Sequence, residues 1–256
     1  MKKLFTLLLS LTLMVGLSAC SSSKKSTIVF GLQKNYAPFS YYKNGKLTGY
    51  DVEACKLIAK KLNKKAVFKT YENKQLVRAL DSGNVDAIGN MKEVVYNVNE
   101  AKGQLPDYYF SEPYKYSRLV VITRKSNTTI KHFDDQRDLK IAMSRGDFFE
   151  DSVVDDGGDI YECADFDACM KAVEDQKAEA TMNDLLAYEY YMKQHVDANV
   201  KGSVLSANLF PLCFQFRNDS LRLSNQVSKA ILSLNSDGSL SDLSMRLFYQ
   251  DISKKE

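Results

Sequence analysis

Two stretches of this chain, Glu72 to Asn90 and Asp165 to Asn183, superimpose without gaps at an offset of 93 residues, and this repeat narrows the choice of folds more than any other feature. Leu76 matches Cys169, Ala79 matches Ala172, Leu80 matches Val173, Ala87 matches Ala180 and Asn90 matches Asn183, while Asp86 and Glu179 share one acidic place. Apolar positions three and four apart describe one face of a helix. A short strand-like run follows in both copies. Helix, turn and strand thus recur in the same order, which predicts two lobes built on one plan.

The rest of the chain alternates strands with helices, the pattern of an α/β architecture with largely parallel sheets. Ser26 to Leu32 reads as a buried strand, and Val52, Cys55, Ile58 and Leu62 as a helical stripe. Ala66 to Tyr71 reads as the next strand, Leu76 to Leu80 as a helix stopped by Gly83, and Val85 to Gly89 as a third strand. Arg118 to Thr123 leads out of the first copy and Leu212 to Phe216 leads back, which predicts a hinge of two extended crossings. Leu223, Val227, Ala230, Ile231 and Leu234 form one late helical stripe, Leu240 to Phe248 forms another, and both are expected to return to the first lobe. Ligands of open α/β sheets gather beyond the carboxyl ends of strands. Asn90 and Asn183 end equivalent strands, so a cleft between the lobes is expected to set them face to face.

The amino terminus carries its own signal. Met1-Lys2-Lys3 precedes a mostly apolar run from Leu4 to Leu17, shorter than the roughly 18 residues of a membrane span. The run closes on Leu17-Ser18-Ala19-Cys20, which resembles the bacterial lipobox and implies cleavage before Cys20 and a diacylglyceryl thioether on its sulfur. Residues 1–19 are then a signal peptide and 20–26 a lipidated cysteine with a small, polar tether. Removing 19 of the 256 residues leaves 237, enough for two lobes with their own cores. It also takes the formal charge from +3 to +1 by the loss of Lys2 and Lys3, which disfavours nucleic acid as a partner. Export permits a disulfide between Cys163 and Cys169 across a strand-to-helix turn; buried free thiols are the alternative. The two histidines, His132 and His195, are far apart and offer no metal spacing, so neither metal nor cofactor is expected.

Several short motifs follow in a fixed order: Tyr36-Ala37-Pro38-Phe39-Ser40-Tyr41, Gly45 to Glu53, Ser82 to Ile88, Phe110-Ser111-Glu112-Pro113-Tyr114, Asp138 to Ala142, and Gly238-Ser239-Leu240. In this the chain resembles the extracellular solute-binding proteins of amino-acid ABC transporters (family 3), from about Ser26 to Ile252. The resemblance implies a two-lobed, type II periplasmic-binding-protein-like fold, with a mostly parallel sheet in each lobe and a two-strand hinge. It places the first part of lobe 1 at 27–118, lobe 2 at 119–213, and the return to lobe 1 at 214–256. It further implies a small-molecule ligand, an amino acid or amine-like solute, delivered to an ABC permease by a protein held by lipid on the outer face of a bacterial cell membrane.

Pocket positions follow from the same resemblance, one by one. Tyr36 matches the aromatic over the ligand, and Asp184 the second-lobe carboxylate that pairs with an α-ammonium. Asn90 and Asn183 offer amide donors and acceptors at the strand ends. The family's Thr-x-x-Arg, whose guanidinium grips the ligand carboxylate, is missing, since no arginine lies between Arg78 and Arg118. With Glu93 in the Thr place, Tyr96 falls in the Arg place. Two ligand readings stay open. Arg145 with Lys92 re-creates a carboxylate site, or Glu93, Asp147 and Asp184 make an acidic, aromatic-lined cleft for a cation.

A binding module rather than an enzyme is the expected class, because the chain shows no Ser-His-Asp, Cys-His or metal constellation. The alternatives are a periplasmic dehydratase on the same fold, with Glu93 as general acid, and a ligand-sensing ectodomain. Sensory modules of that kind are usually fused to a membrane helix and an output domain, neither of which precedes Glu256.

Overall fold

The computed structural model describes residues 26–92, 107–147 and 149–255. Strand β1 (Thr27–Gln33) buries Ile28, Phe30 and Leu32 and pairs in parallel with β4 (Lys65–Tyr71), Thr27 against Lys65 through Gln33 against Tyr71. On its other side β1 pairs in parallel with β5 (Ala87–Lys92). A small hairpin, β2 (Tyr41–Lys43) and β3 (Lys46–Thr48), separates β1 from helix α1 (Tyr50–Lys61). Helix α1 has Asp51 and Glu53 in its first turn and Lys60 and Lys61 in its last, charges that complement the helix dipole. Gly49 makes its start possible. At φ +119° any side chain is strained, and a Cβ would sit 2.2 Å from the Phe39 carbonyl oxygen. That close approach lets the amides of Tyr50 and Asp51 donate to the carbonyls of Pro38 and Phe39.

Helix α2 (Asn73–Asp81) buries Leu76, Ala79 and Leu80 and ends before Gly83 at φ +70°, as its stripe and stop signal predict. Beyond the crossing the second lobe repeats the plan with β8 (Lys140–Ser144), α3 (Glu150–Asp155), β9 (Asp159–Cys163), α4 (Phe166–Glu174), β10 (Ala180–Asp184) and α5 (Leu185–Gln194). Shifted by 93, the bounds of α2 are those of α4. Strands β9 and β10 flank β8 in parallel, as β4 and β5 flank β1.

The crossings are longer than their apolar runs predict. Strand β7 covers Lys115–Arg124 and β11 covers Val200–Arg217. They pair with each other antiparallel from Val200 against Arg124 to Leu212 against Lys115. Strand β10 adds to β7, and β5 and the short β6 (Tyr108–Phe110) add to β11, also antiparallel. The path β4-β1-β5-β11-β7-β10-β8-β9 therefore reads alike from both ends. Periodicity missed the first part of β11 because most of its residues are half-buried or exposed, and Val200 and Ser206, its buried ones, make no regular apolar face. Neighbours across the hinge hold it extended instead.

After β11, α6 (Leu221–Ser236) and α7 (Ser239–Phe248) pack on α1. Val227, Ile231, Leu234, Leu240 and Leu243 join the core that contains Phe30, Val52, Ile58 and Phe214, so the chain's end closes the first lobe. No helix among the described residues is long and apolar enough to cross a membrane. Cys163, at the end of β9, and Cys169, in α4, are free thiols and not joined as a disulfide, and the Cys163 thiol donates to the Tyr161 carbonyl at 3.6 Å. Cys55 is a buried free thiol as well, and Cys213 is buried in β11.

Candidate functional site

The lobes meet over a narrow cleft beyond the carboxyl ends of β5 and β10, lined among others by Tyr36, Asn90, Ser117, Asp147, Asn183 and Asp184. Tyr36 hangs from the turn after β1. Its amide donates to the Ser40 carbonyl and its carbonyl accepts from the Ser40 amide, a two-way bridge that fixes the ring against Phe39 at 5.2 Å between centroids. The Tyr36 hydroxyl donates across the cleft to Asn183 Oδ1 at 2.8 Å and also meets the Asn90 side chain. Burial, then the carboxylates of Asp184, Asp147 and Asp51, hold this phenol well above its ordinary pKa, so it stays a neutral donor.

Asn90 lies two residues before the end of β5 in the left-handed region, φ 63°, a conformation asparagine tolerates better than most residues. Its amide donates to the Tyr114 hydroxyl at 3.0 Å, while its side-chain oxygen is buried without a partner among the described residues. An unfilled acceptor in a cleft wall suits a ligand N–H, because leaving it bare costs about 1–3 kcal/mol. The expected meeting of Asn90 and Asn183 is present, with Tyr36 between them.

Asp184 does two things at once. Its Oδ1 accepts from the Leu186 amide at 2.7 Å and caps α5, while its Oδ2 accepts from the Ser117 hydroxyl on β7. Burial pushes its pKa up, and Lys115, Ser117 and the amides of Leu186 and Ala187 oppose that rise. Asp147, half-buried after β8, accepts from the Phe149 amide at 3.1 Å. Burial, with a smaller push from Glu150, raises it to about 6. Both carboxylates thus lie on the second lobe, facing Tyr36.

Raising Asp147 has a stability consequence. The folded carboxyl holds its proton to about pH 6, the unfolded one only to about 3.9, so folding takes up a proton in between. Ligand-free stability should therefore fall as pH rises from about 4 to 6, and melting curves of Asp147→Asn should show a flatter slope there. A cation entering the cleft favours the ionised form, so its affinity should rise through the same window.

Arg145 is placed elsewhere. It is exposed, its guanidinium pairs with Glu150 at 2.6 Å and Glu162 at 3.3 Å, and it is absent from the cleft lining. Lys74 of the first lobe reaches the same Glu162 at 3.4 Å, which makes a surface network across the cleft rim. Solvent screens exposed pairs of this kind, so they add little to stability. Glu93 and Cys20 lie outside the described residues. No lysine or arginine lines the cleft among the described residues.

Sequence reasoning missed the charge pair beneath the site. Lys115 Nζ lies 2.8 Å from Asp51 Oδ1, with side chains 0% and 1% exposed, and 3.5 Å above the centroid of the Phe39 ring. Asp51 sits inside the Gly45–Glu53 motif, which was the one available signal. Nothing local marks a lysine at the head of β7 as buried.

Comparison with known proteins decides the family. The model of the bacterial extracellular solute-binding proteins, family 3, matches residues 28–250. The chain belongs to that family. It is 31% identical to the "Probable amino-acid ABC transporter-binding protein" of Haemophilus influenzae over 232 residues, 90% of this chain and 88% of that one. It is also 31% identical to the L-cystine-binding protein TcyA of Bacillus subtilis over 236 residues, 91% of this chain and 85% of the relative. Among solved structures, an ancestral arginine-binding protein bound to arginine superimposes with a TM-score of 0.77 at 26% identity, covering 88% of this chain and 99% of that one. This family 3 chain is thus a two-lobed solute-binding protein, with its cleft where the pseudo-symmetric strands end.

Proposed function

We propose that this family 3 protein captures an amino acid carrying a second cationic group, such as a basic amino acid or a diammonium compound, and hands it to the permease of an ABC importer. One observation carries the reading: Asp147 and Asp184 face the Tyr36 ring in a cleft whose described lining holds no cation. Of the two ligand readings, the acidic cleft is favoured because Arg145 is already engaged by Glu150 and Glu162. An ammonium or guanidinium between the two carboxylates supplies the counter-charge that the closed cleft lacks. The α-ammonium goes to Asp184, and the bare Asn90 oxygen accepts a further N–H. The named ligands of the relatives fit this chemistry, since arginine and cystine both bear two cationic nitrogen groups. The role is binding without catalysis.

Domain organisation belongs to the same proposal. The chain crosses from the first lobe at 118/119 and returns at 213/214. Cys20 carries the lipid that holds the exported protein on the outer face of the membrane. A diacylglyceryl group supplies the two chains that stable anchoring requires, so Cys20→Ala should move the protein from the membrane fraction to the medium or leave an unprocessed precursor. A normally cleaved, still membrane-bound variant would place the anchor elsewhere.

The ligand assignment is tested by melting curves with L-arginine, L-lysine, L-cystine, L-glutamine and L-glutamate. A ligand at about 100 times its Kd adds about 2.7 kcal/mol, equivalent to a rise of roughly 5–10 °C for a domain of this size. At least one of the dicationic compounds should give such a rise and glutamate none. A larger rise with glutamate overturns the reading.

A further inference from the structure

Alternate residues of a strand face opposite ways, and at the hinge the two sides of β7 serve two cavities. Leu119 lines the ligand cleft and Tyr116 and Arg118 line a second cavity of about 230 Å³ behind the crossing strands, against about 40 Å³ in the cleft, while Ser117 between them reaches both. Every moving part contributes to its walls. Leu185 and Leu186 open α5 on the second lobe, and Leu205 and Leu209 flank the place where β11 slips register against β7. The segment after α7, Gln250 to Lys254, closes the first-lobe side, held to β7 by the Tyr116 amide donating to the Ile252 carbonyl at 2.7 Å.

The charges in this cavity are unequal in their engagement. Asp184 is taken by Ser117 and the Leu186 amide, and Asp251 by the hydroxyl and amide of Ser253 with Lys254 at 3.9 Å. The Arg118 guanidinium has no hydrogen bond or ion pair to any described residue. A guanidinium beside leucines, with no carboxylate of its own, matches a ligand carboxylate, which it takes as a bidentate fork.

We propose that the cavity behind the hinge is a second ligand site, in which Arg118 pairs with the anion of a small organic carboxylate whose short apolar tail packs on Leu205 and Leu209. The site is coupled to the cleft through its geometry. Ser117 and Asp184, hydrogen-bonded to each other, line both cavities. Rotation that parts the lobes at the cleft presses α5 towards the tail segment behind the hinge, so an occupant there favours the closed form. By linkage, it tightens solute binding in the cleft by the factor that the solute tightens its own.

The test uses the full chain with 3-methylbutanoate as probe, followed by saturation-transfer NMR and calorimetry, and 3-methylbutanamide as the uncharged control. The carboxylate should bind and the amide should not. Arg118→Gln should weaken binding at least tenfold, Arg118→Lys less, and Leu209→Trp, which fills the cavity and keeps the guanidinium, should abolish it. Asp147→Asn, altered only in the cleft, should bind the probe as the parent does, which separates this site from the cleft even if the proposed solute is wrong. Scattering should show compaction on adding the probe. Equal binding of the amide, undiminished binding to Arg118→Gln or Leu209→Trp in folded protein, or loss in Asp147→Asn overturns the site. Binding without compaction overturns the coupling.

Discussion

Asparagine in place of Asp184 is expected to weaken solute binding by roughly 100-fold, while the ligand-free protein keeps its melting temperature or gains slightly. Truncating one partner of a buried charge pair costs about 2–5 kcal/mol, and about 3 kcal/mol corresponds to that factor. Asp184 is 6% exposed, so the ligand's ammonium meets it largely without intervening water. Stability follows a different balance. Asparagine still caps α5, and burial already disfavours the ionised aspartate, as its raised pKa records. Calorimetry and melting curves on one preparation separate the two effects. Parallel loss of affinity and stability would mean that Asp184 acts through the fold and not on the ligand.

The second large effect lies beneath the cleft. Asp51→Ala should destabilise the protein by about 3–5 kcal/mol, because it leaves the Lys115 ammonium buried and unpaired. Burial already lowers the Lys115 pKa, and the Asp51 charge is the largest influence opposing that fall. Removing both charges, in Asp51→Ala/Lys115→Met, should recover most of the loss, since buried ion pairs often do little better than apolar replacements. Urea titrations of the single and double variants measure this directly, and equal instability of the two would refute it. Solute affinity should fall in the single variant too. Lys115 stands over Phe39, and Phe39 supports the Tyr36 ring.

Local pattern made much of this fold readable. The stripe of Leu76, Ala79 and Leu80 and its copy at Cys169, Ala172 and Val173 needed only helical period and a stop signal, and the helices match residue for residue. Asn90 and Asn183 could be placed at equivalent positions near the ends of β5 and β10 for the same reason. The early part of β11 could not, because its extended form depends on β7, far away in sequence.

Charges divide along the same line. From the sequence alone came the two-lobed plan and the cleft at the strand ends, and from its family resemblance the roles proposed for Tyr36 and Asp184 and the missing arginine. Only the tertiary structure decided which of the remaining charges face the cleft. Arg145 and Asp147 are two residues apart, yet Glu150 and Glu162 hold Arg145 at the surface while Asp147 turns inward to about pKa 6. Lys115 is buried although it looks in sequence like any strand-end lysine, and the Arg118 guanidinium, three residues on, has no ion pair among the described residues. Helical and strand periods are written in neighbouring residues, whereas the energy of a charge depends on the solvent and counter-charges that distant segments bring to it.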